Sequence, residues 1–328
     1  MRNETKGILA IVAAATFWGL SGIYFKALVH VPPLEILSHR AIWSAVFFGA
    51  VLALQGRAGE IRAALAQPRT WAILGTSAGL IALNWLGFIH AIQTNRALEA
   101  GLGYYMFPLV AVAFGYLFFA ERFSRRQATA IGLMAGAVVV LTLGLGQPPM
   151  IGLLLAVTFG LYGLIKKRLA IGPVLSVFIE TLLLAPPAVI WLWGSTSLGW
   201  PDIGGRAPLG FGEDALTAAL LLGSGPLTAT PLVLFSYAAK RLAYATVGLV
   251  QYLNPTLQVA VAALVFGEAV TPWHLLALPM IWAGLALYSW DGLAQERRRR
   301  SSAISSATLP TTESEARNAA SAKPCATM

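Results

Sequence analysis

Residues 101–121 read GLGYYMFPLVAVAFGYLFFAE, and residues 248–268 read GLVQYLNPTLQVAVAALVFGE. Laid over one another at an offset of 147 positions, they match at Gly101 and Gly248, Tyr105 and Tyr252, Pro108 and Pro255, Phe119 and Phe266, and Glu121 and Glu268. The same offset sets Phe88 over Phe235 and Ala91 over Ala238. Farther upstream a smaller shift sets Trp18-Gly19 over Tyr162-Gly163. Two unrelated apolar helices do not keep Pro, Tyr, Gly and Glu at one spacing, so the chain reads as a tandem repeat.

Each copy is a membrane unit. Of the 328 residues 57% are hydrophobic and 11% charged, where a soluble domain carries roughly 25% charge. Mean hydropathy is +0.69. A hydrocarbon core about 30 Å thick takes about 20 apolar residues per helix. Runs of that kind fall at 7–28, 34–54, 71–93, 97–119, 127–146, 149–165, 173–194, 215–238, 243–266 and 273–291. They are continuous rather than alternating, which excludes a barrel. The expected fold is an all-α integral membrane protein of ten transmembrane helices, built as two five-helix repeats over 1–146 and 147–295, with a disordered cytoplasmic tail over 296–328. Five is odd, so the second repeat enters the membrane upside down relative to the first.

The charges agree. Arg2, Lys6, Arg57, Arg62, Arg69, Arg122, Arg125, Arg126, Lys166, Lys167, Arg168, Lys240, Arg241 and six more in the tail make 19 Lys and Arg on one side, against Arg96 and Arg206 on the other. Lys26 and Arg40 fall inside helices. Positive charge marks the cytoplasm, so both termini are expected there. Where Arg122, Arg125 and Arg126 follow the first glutamate, the second copy has Ala269, Pro272 and Trp273. Lys240 and Arg241 replace Gln93 and Thr94. The net charge of +9 therefore reports topology, and no nucleic-acid partner is expected. The first apolar run is too long for a signal peptide and reads as a retained helix. The sole cysteine, Cys325, allows no intrachain disulfide and no cysteine-based metal site.

Polar and helix-breaking residues at mid-depth mark the expected solute path. Pro108 and Pro255 fall near the middle of matched spans, each removing a backbone hydrogen bond. Tyr104, Tyr105, Gln251, Tyr252 and Asn254 flank them, Asn84 and Trp85 lie mid-way along the third span, and Trp18 along the first. Amides and aromatic rings at that depth suit an organic solute, or serve as interhelical hydrogen bonds. Charges inside spans cost more and are functional or paired. The second span carries His39 and Arg40 and the seventh Glu180. With Pro33 set over Pro173, Glu180 falls on Arg40, so the two are expected to pair as a gate, flank the path, or hold the halves together.

Other chemistry finds little support. Gly19-Leu20-Ser21-Gly22 fits the short GxSG pattern of intramembrane serine proteases, with no histidine at a supporting spacing. His30, His39, His90 and His274 lack metal-ligand spacing. The pairs Gly75/Gly79 and Gly132/Gly136 read as close helix packing. No catalytic residue, metal or cofactor is expected.

These stretches resemble the RarD branch of the EamA-type drug/metabolite transporter superfamily. The likeness is carried by Glu35 to Arg40 with Ile42-Trp43-Ser44, Asn84-Trp85-Leu86, Leu98 to Tyr104, Glu121-Arg122-Phe123, Tyr162-Gly163-Leu164, Ile179-Glu180-Thr181 and Gly248 to Leu257. It covers about residues 7–295. The resemblance implies ten helices in inverted repeats and the export or permeation of small metabolites or drugs. One position departs: Phe107 precedes Pro108 where the family has Asn, while Asn254 precedes Pro255.

The expectation is a secondary transporter or permease, an exporter of small organic metabolites or drugs, working by alternating access in a bacterial cytoplasmic membrane. Its partners would be a small-molecule substrate and the lipid bilayer, and a homo-oligomer is compatible. An uncoupled facilitator is the first alternative and an intramembrane hydrolase a remote one.

Overall fold

Proline at the first helical position starts four of the long helices, where its fixed φ is already helical and its missing N–H is not needed. The computed structural model describes residues 3–119, 123–146, 150–203, 205–207, 211–212, 214–242, 247–248 and 250–307. Side chains at a few helical positions, Pro108 among them, lie outside what is described, as does Glu121 altogether.

Eleven helices are bounded within the described residues: α1 Asn3–Ala27, α2 Pro33–Leu54, α3 Ala58–Leu65, α4 Pro68–Gln93, α5 Ala97–Phe119, α6 Arg125–Leu145, α7 Met150–Arg168, α8 Pro173–Ser197, α9 Ala215–Ala239, α10 Leu253–Leu264 and α11 Pro272–Ala307; residues 247, 248 and 250 are also helical. Seven are long and apolar enough to cross a membrane, and Leu253–Leu264 and Pro272–Tyr288 are shorter apolar helices. α5 is another 23 residues long. The protein is an all-helical, multi-pass membrane protein. α11 runs on to Ala307, into the segment expected to be disordered from 296, because its Ala, Gln, Glu and Arg residues carry high helix propensity beyond the apolar window. Residues 308–328 lie outside the described residues.

The helices are locked together by glycine contacts and by caps borrowed from distant segments. A Cβ on Gly103 of α5 would stand 2.4 Å from the Gly152 Cα of α7, so the two backbones touch. A Cβ on Gly225 of α9 would stand 2.5 Å from the Trp43 carbonyl carbon of α2. The expected packing pairs behave otherwise: Gly75, Gly79 and Gly132 have nothing within 4 Å, and Gly136 only the Met280 Cε at 3.5 Å. Gly75, Gly79 and Gly132 turn away from the protein, while Gly136 meets α11.

Buried helix starts need acceptors for their free N–H groups. Glu268 takes the Ala97 N–H at 2.9 Å and the Leu98 N–H at 2.8 Å, capping α5. Glu99 takes the Ile151 N–H at 3.0 Å at the start of α7. Asp202 takes the Leu34 N–H at 3.0 Å at the start of α2, and burial raises its carboxyl above the ordinary aspartate range. The repeat residue Glu268 thus has a physical job, anchoring a helix of the other half. Glu268→Ala should cost about 0.5–2 kcal/mol of stability, the worth of a cap. Thermal unfolding of the purified protein checks this; an unchanged midpoint would remove Glu268 from the account.

Two buried clusters organise the interior. One centres on Phe107, Phe159, Tyr162 and Phe235. The other centres on Phe88, Leu102, Tyr105 and Tyr252. Polar side chains collect between them.

Candidate solute-binding cavity

A cavity of about 500 Å³, open space at its mouth included, lies where the two clusters meet. α1 contributes Trp18, Ser21 and Phe25, α2 Arg40, and α4 Ile81, Asn84, Trp85 and Phe88. α5 adds Tyr104, α7 Phe159, α9 Leu227 and Thr228, and α10 Asn254 and Gln258.

The polar groups form three arms. The Tyr104 hydroxyl donates to Asn84 Oδ1 at 3.0 Å, and Asn84 Nδ2 donates to the Leu155 carbonyl at 2.9 Å and to Thr158 Oγ1 at 3.0 Å. This arm is fixed and presents a saturated amide. Across the cavity Gln258 Nε2 donates to Asn254 Oδ1 at 2.9 Å, leaving Gln258 Oε1 buried without a partner. Thr228 Oγ1 is likewise unpartnered.

Arg40 is the third arm. It is 3% exposed, with its guanidinium carbon 4.5 Å from the Trp85 ring centroid and 4.6 Å from that of Phe25. Nε and Nη1 have no acceptor. Cation–π contact supplies part of what water would have given. The expected pairing with Glu180 is corrected: Glu180 Oε1 lies 2.6 Å from Lys166 Nζ. It also accepts from the Ser77 hydroxyl at 2.6 Å, and Oε2 accepts from Tyr162 at 3.3 Å. Lys166, assigned from sequence to a cytoplasmic loop, is 2% exposed in α7 and donates to Ser176 Oγ at 2.8 Å. Four methylenes let the lysine reach back from the end of α7 to a carboxylate the sequence leaves alone.

Of the residues expected on the path, Trp18, Arg40, Asn84, Tyr104 and Asn254 line the cavity. His39, Tyr105, Glu180, Gln251, Tyr252 and Pro255 do not, and the Pro108 side chain is outside the described residues. Adjacent residues on a helix point about 100° apart, which separates Tyr104 from Tyr105 and Arg40 from His39. Tyr105 shares a hydrogen bond with Thr256 Oγ1 at 2.9 Å and accepts from Trp282 Nε1 at 3.1 Å, while the Tyr252 hydroxyl donates to Met134 Sδ at 2.9 Å. Both tyrosines join helices through these bonds. The His39 ring stacks on Phe211 at 4.8 Å, with Trp43 Nε1 donating to its Nδ1 at 3.2 Å. Gln251 is buried with both amide atoms unpartnered.

The prolines also differ from expectation. Gln251 and Tyr252 form a turn just ahead of Pro255, so the chain is interrupted there, but α5 runs unbroken through Pro108. Pro186, Pro187, Pro226, Pro231 and Pro279 all sit inside helices, so proline alone does not open one here. Gln258 was legible as the i+4 neighbour of Asn254; Thr228 and Phe159 carry no signal in a single sequence. Ser21 donates to the Trp18 carbonyl at 2.7 Å, and no histidine is among the described cavity residues.

The sequence model of the EamA-like transporter family matches residues 5–143 and again 149–290. The chain belongs to the EamA-like transporter family. An uncharacterized transporter of Pseudomonas aeruginosa is 38% identical over 296 residues, 90% of this chain and 97% of its own. Protein RarD of Streptomyces exfoliatus is 38% identical over 303 residues, covering 91% and 93% of the two chains. Protein RarD of Escherichia coli is 35% identical over 297 residues, covering 90% and 98%. The RarD-like placement within the EamA-like family follows. A solved crystal structure superposes with a TM-score of 0.64 over 88% of this chain and 98% of its own, at 18% identity, a likeness of fold. The EamA-like cavity draws on side chains from both matched segments.

Proposed function

We propose that the protein is a secondary transporter or permease, an exporter of small organic metabolites or drugs that works by alternating access of two inverted five-helix halves. The observation that carries this reading is the cavity, walled jointly by residues of both family-matched segments and holding unpartnered polar atoms. A twofold relation between the halves is supported by the packing pattern, and the odd number of spans expected in each half supports their inversion. α1 packs on α9 and α10 as α7 packs on α4 and α5, and α2 meets α9 as α8 meets α4. Exchange of first and second halves maps each pair onto its counterpart. A pseudo-twofold axis of this kind sets a site near mid-membrane that either half can close.

The site is proposed to include Trp18, Arg40, Asn84, Tyr104 and Asn254. Purified protein in liposomes loaded with a solute that shifts its melting temperature should show counterflow of labelled solute. Flux equal to empty liposomes for every such solute would overturn transport. Uncoupled facilitation is the second reading, favoured by the Lys166–Glu180 pair, which occupies the carboxylate otherwise suited to carry a coupling proton. Accumulation that collapses with the proton gradient would exclude it.

The basic loops support an orientation with both termini on the cytoplasmic side of a bacterial inner membrane; removing Lys166 from that side leaves the asymmetry intact. In a Cys325→Ala background, Gly205→Cys should react with an impermeant thiol reagent on intact cells and Ser124→Cys only after lysis. The opposite pattern would reverse the orientation.

A further inference from the structure

Among the described residues, the buried Lys166 and Arg40 are handled differently. Lys166 is matched by Glu180 at 2.6 Å. Arg40 has no carboxylate partner among the described residues, and the cavity it lines holds no Asp or Glu. By the repeat, Arg40 and Glu180 occupy corresponding places, yet Glu180 has a cation beside it and Arg40 has no carboxylate beside it. A buried, unpaired guanidinium is costly and persists where something supplies the counter-charge. The faces of Arg40 are occupied by Trp85 and Phe25, so the remaining approach is through the cavity.

The rest of the wall sets the body of the ligand. Trp18, Phe25, Trp85, Phe88, Tyr104 and Phe159 offer ring surface. Gln258 Oε1 and Thr228 Oγ1, opposite the amide arm, have hydrogen-bonding capacity to spare. We propose that the cavity binds a small organic carboxylate with an aromatic or apolar body, its charge received by Arg40 and its ring by the surrounding aromatic side chains. This rests on the transporter reading and narrows its substrate class.

Matched pairs test it: phenylacetate against phenylacetamide, and indole-3-acetate against indole-3-acetamide, titrated into purified wild-type protein with melting temperature and tryptophan fluorescence as readouts. Loss of a charge-assisted hydrogen bond is on the order of tenfold or more in affinity. Each carboxylate should bind at least that much more tightly than its amide. Arg40→Gln should abolish the preference, and Arg40→Lys should keep it with weaker binding. Amides binding as well as carboxylates to wild type would overturn the proposal even if Arg40→Gln failed to fold. So would displacement of the carboxylates by phosphatidylglycerol at equal concentration, since the anion would then be a lipid headgroup. Carboxylates that bind through Arg40 but never cross proteoliposomes would leave this site standing and overturn transport. Counterflow of neutral solutes alone would do the reverse.

Discussion

Lys166→Met is expected to lower the stability of the protein by about 3–5 kcal/mol, the penalty for stranding one member of a buried ion pair. Glu180 is 1% exposed, and its other partners, Ser77 and Tyr162, are neutral donors that do not replace a charge. Glu180→Gln alone should be damaging for the converse reason, leaving the ammonium of Lys166 with Ser176. The double variant should recover most of the loss, because the pair's mutual attraction only offsets its removal from water. Residues in one network couple strongly, and a double-mutant cycle isolates that coupling. Unfolding measured in detergent for the two single variants and the double supplies the cycle. Additive losses would mean that the 2.6 Å contact carries no interaction. Arg40→Met is the internal control: with no carboxylate partner to strand, it should not show this loss.

Gly103→Ala is expected to be the most damaging single methyl addition in the chain. Its Cβ would stand 2.4 Å from Gly152 Cα, 2.6 Å from the Gly152 oxygen and 2.9 Å from the Gly152 carbonyl carbon, all backbone atoms with no side chain to swing aside. The two helices must part, and the glutamate cap from Glu99 to the Ile151 N–H at 3.0 Å lies next to the crossing. Overpacking costs about 1–3 kcal/mol where neighbours can adjust, so a backbone collision should reach or exceed the top of that range. Tyr104, adjacent to Gly103, would shift with the helix, so ligand-induced stabilisation should also fall. Gly132→Ala, with nothing within 4 Å, should be silent. Equal melting temperatures for the two variants would show that α5 and α7 do not touch at Gly103.

How a charge finds its partner is a matter of tertiary reach, and here sequence spacing misled. The repeat alignment sets Arg40 against Glu180, and by symmetry alone they look like a pair. Lys166 sits at the end of an apolar run beside Lys167 and Arg168, where it reads as one more cytoplasmic charge. The fold bends its side chain inward to Glu180. The same limit applies to glycine. The GxxxG spacing at Gly75/Gly79 and Gly132/Gly136 is visible in one dimension, but its packing depends on which face meets a neighbour. The true contacts, Gly103 on Gly152 and Gly225 on Trp43, join segments far apart in the chain.

The sequence by itself determined that this is a multi-pass helical membrane protein of the EamA-like family with a tandem repeat. Those properties follow from hydropathy, from basic loops and from residues matched at a fixed offset, all of which are read along the chain. It also marked twelve residues at mid-depth as lining a solute path or joining helices, of which Trp18, Arg40, Asn84, Tyr104 and Asn254 line the cavity. Only the tertiary structure decided which of two neighbours faces the cavity, because a rotation of about 100° per residue separates Tyr104 from Tyr105 and Arg40 from His39, and the hydropathy of a uniformly apolar helix does not say which face turns inward.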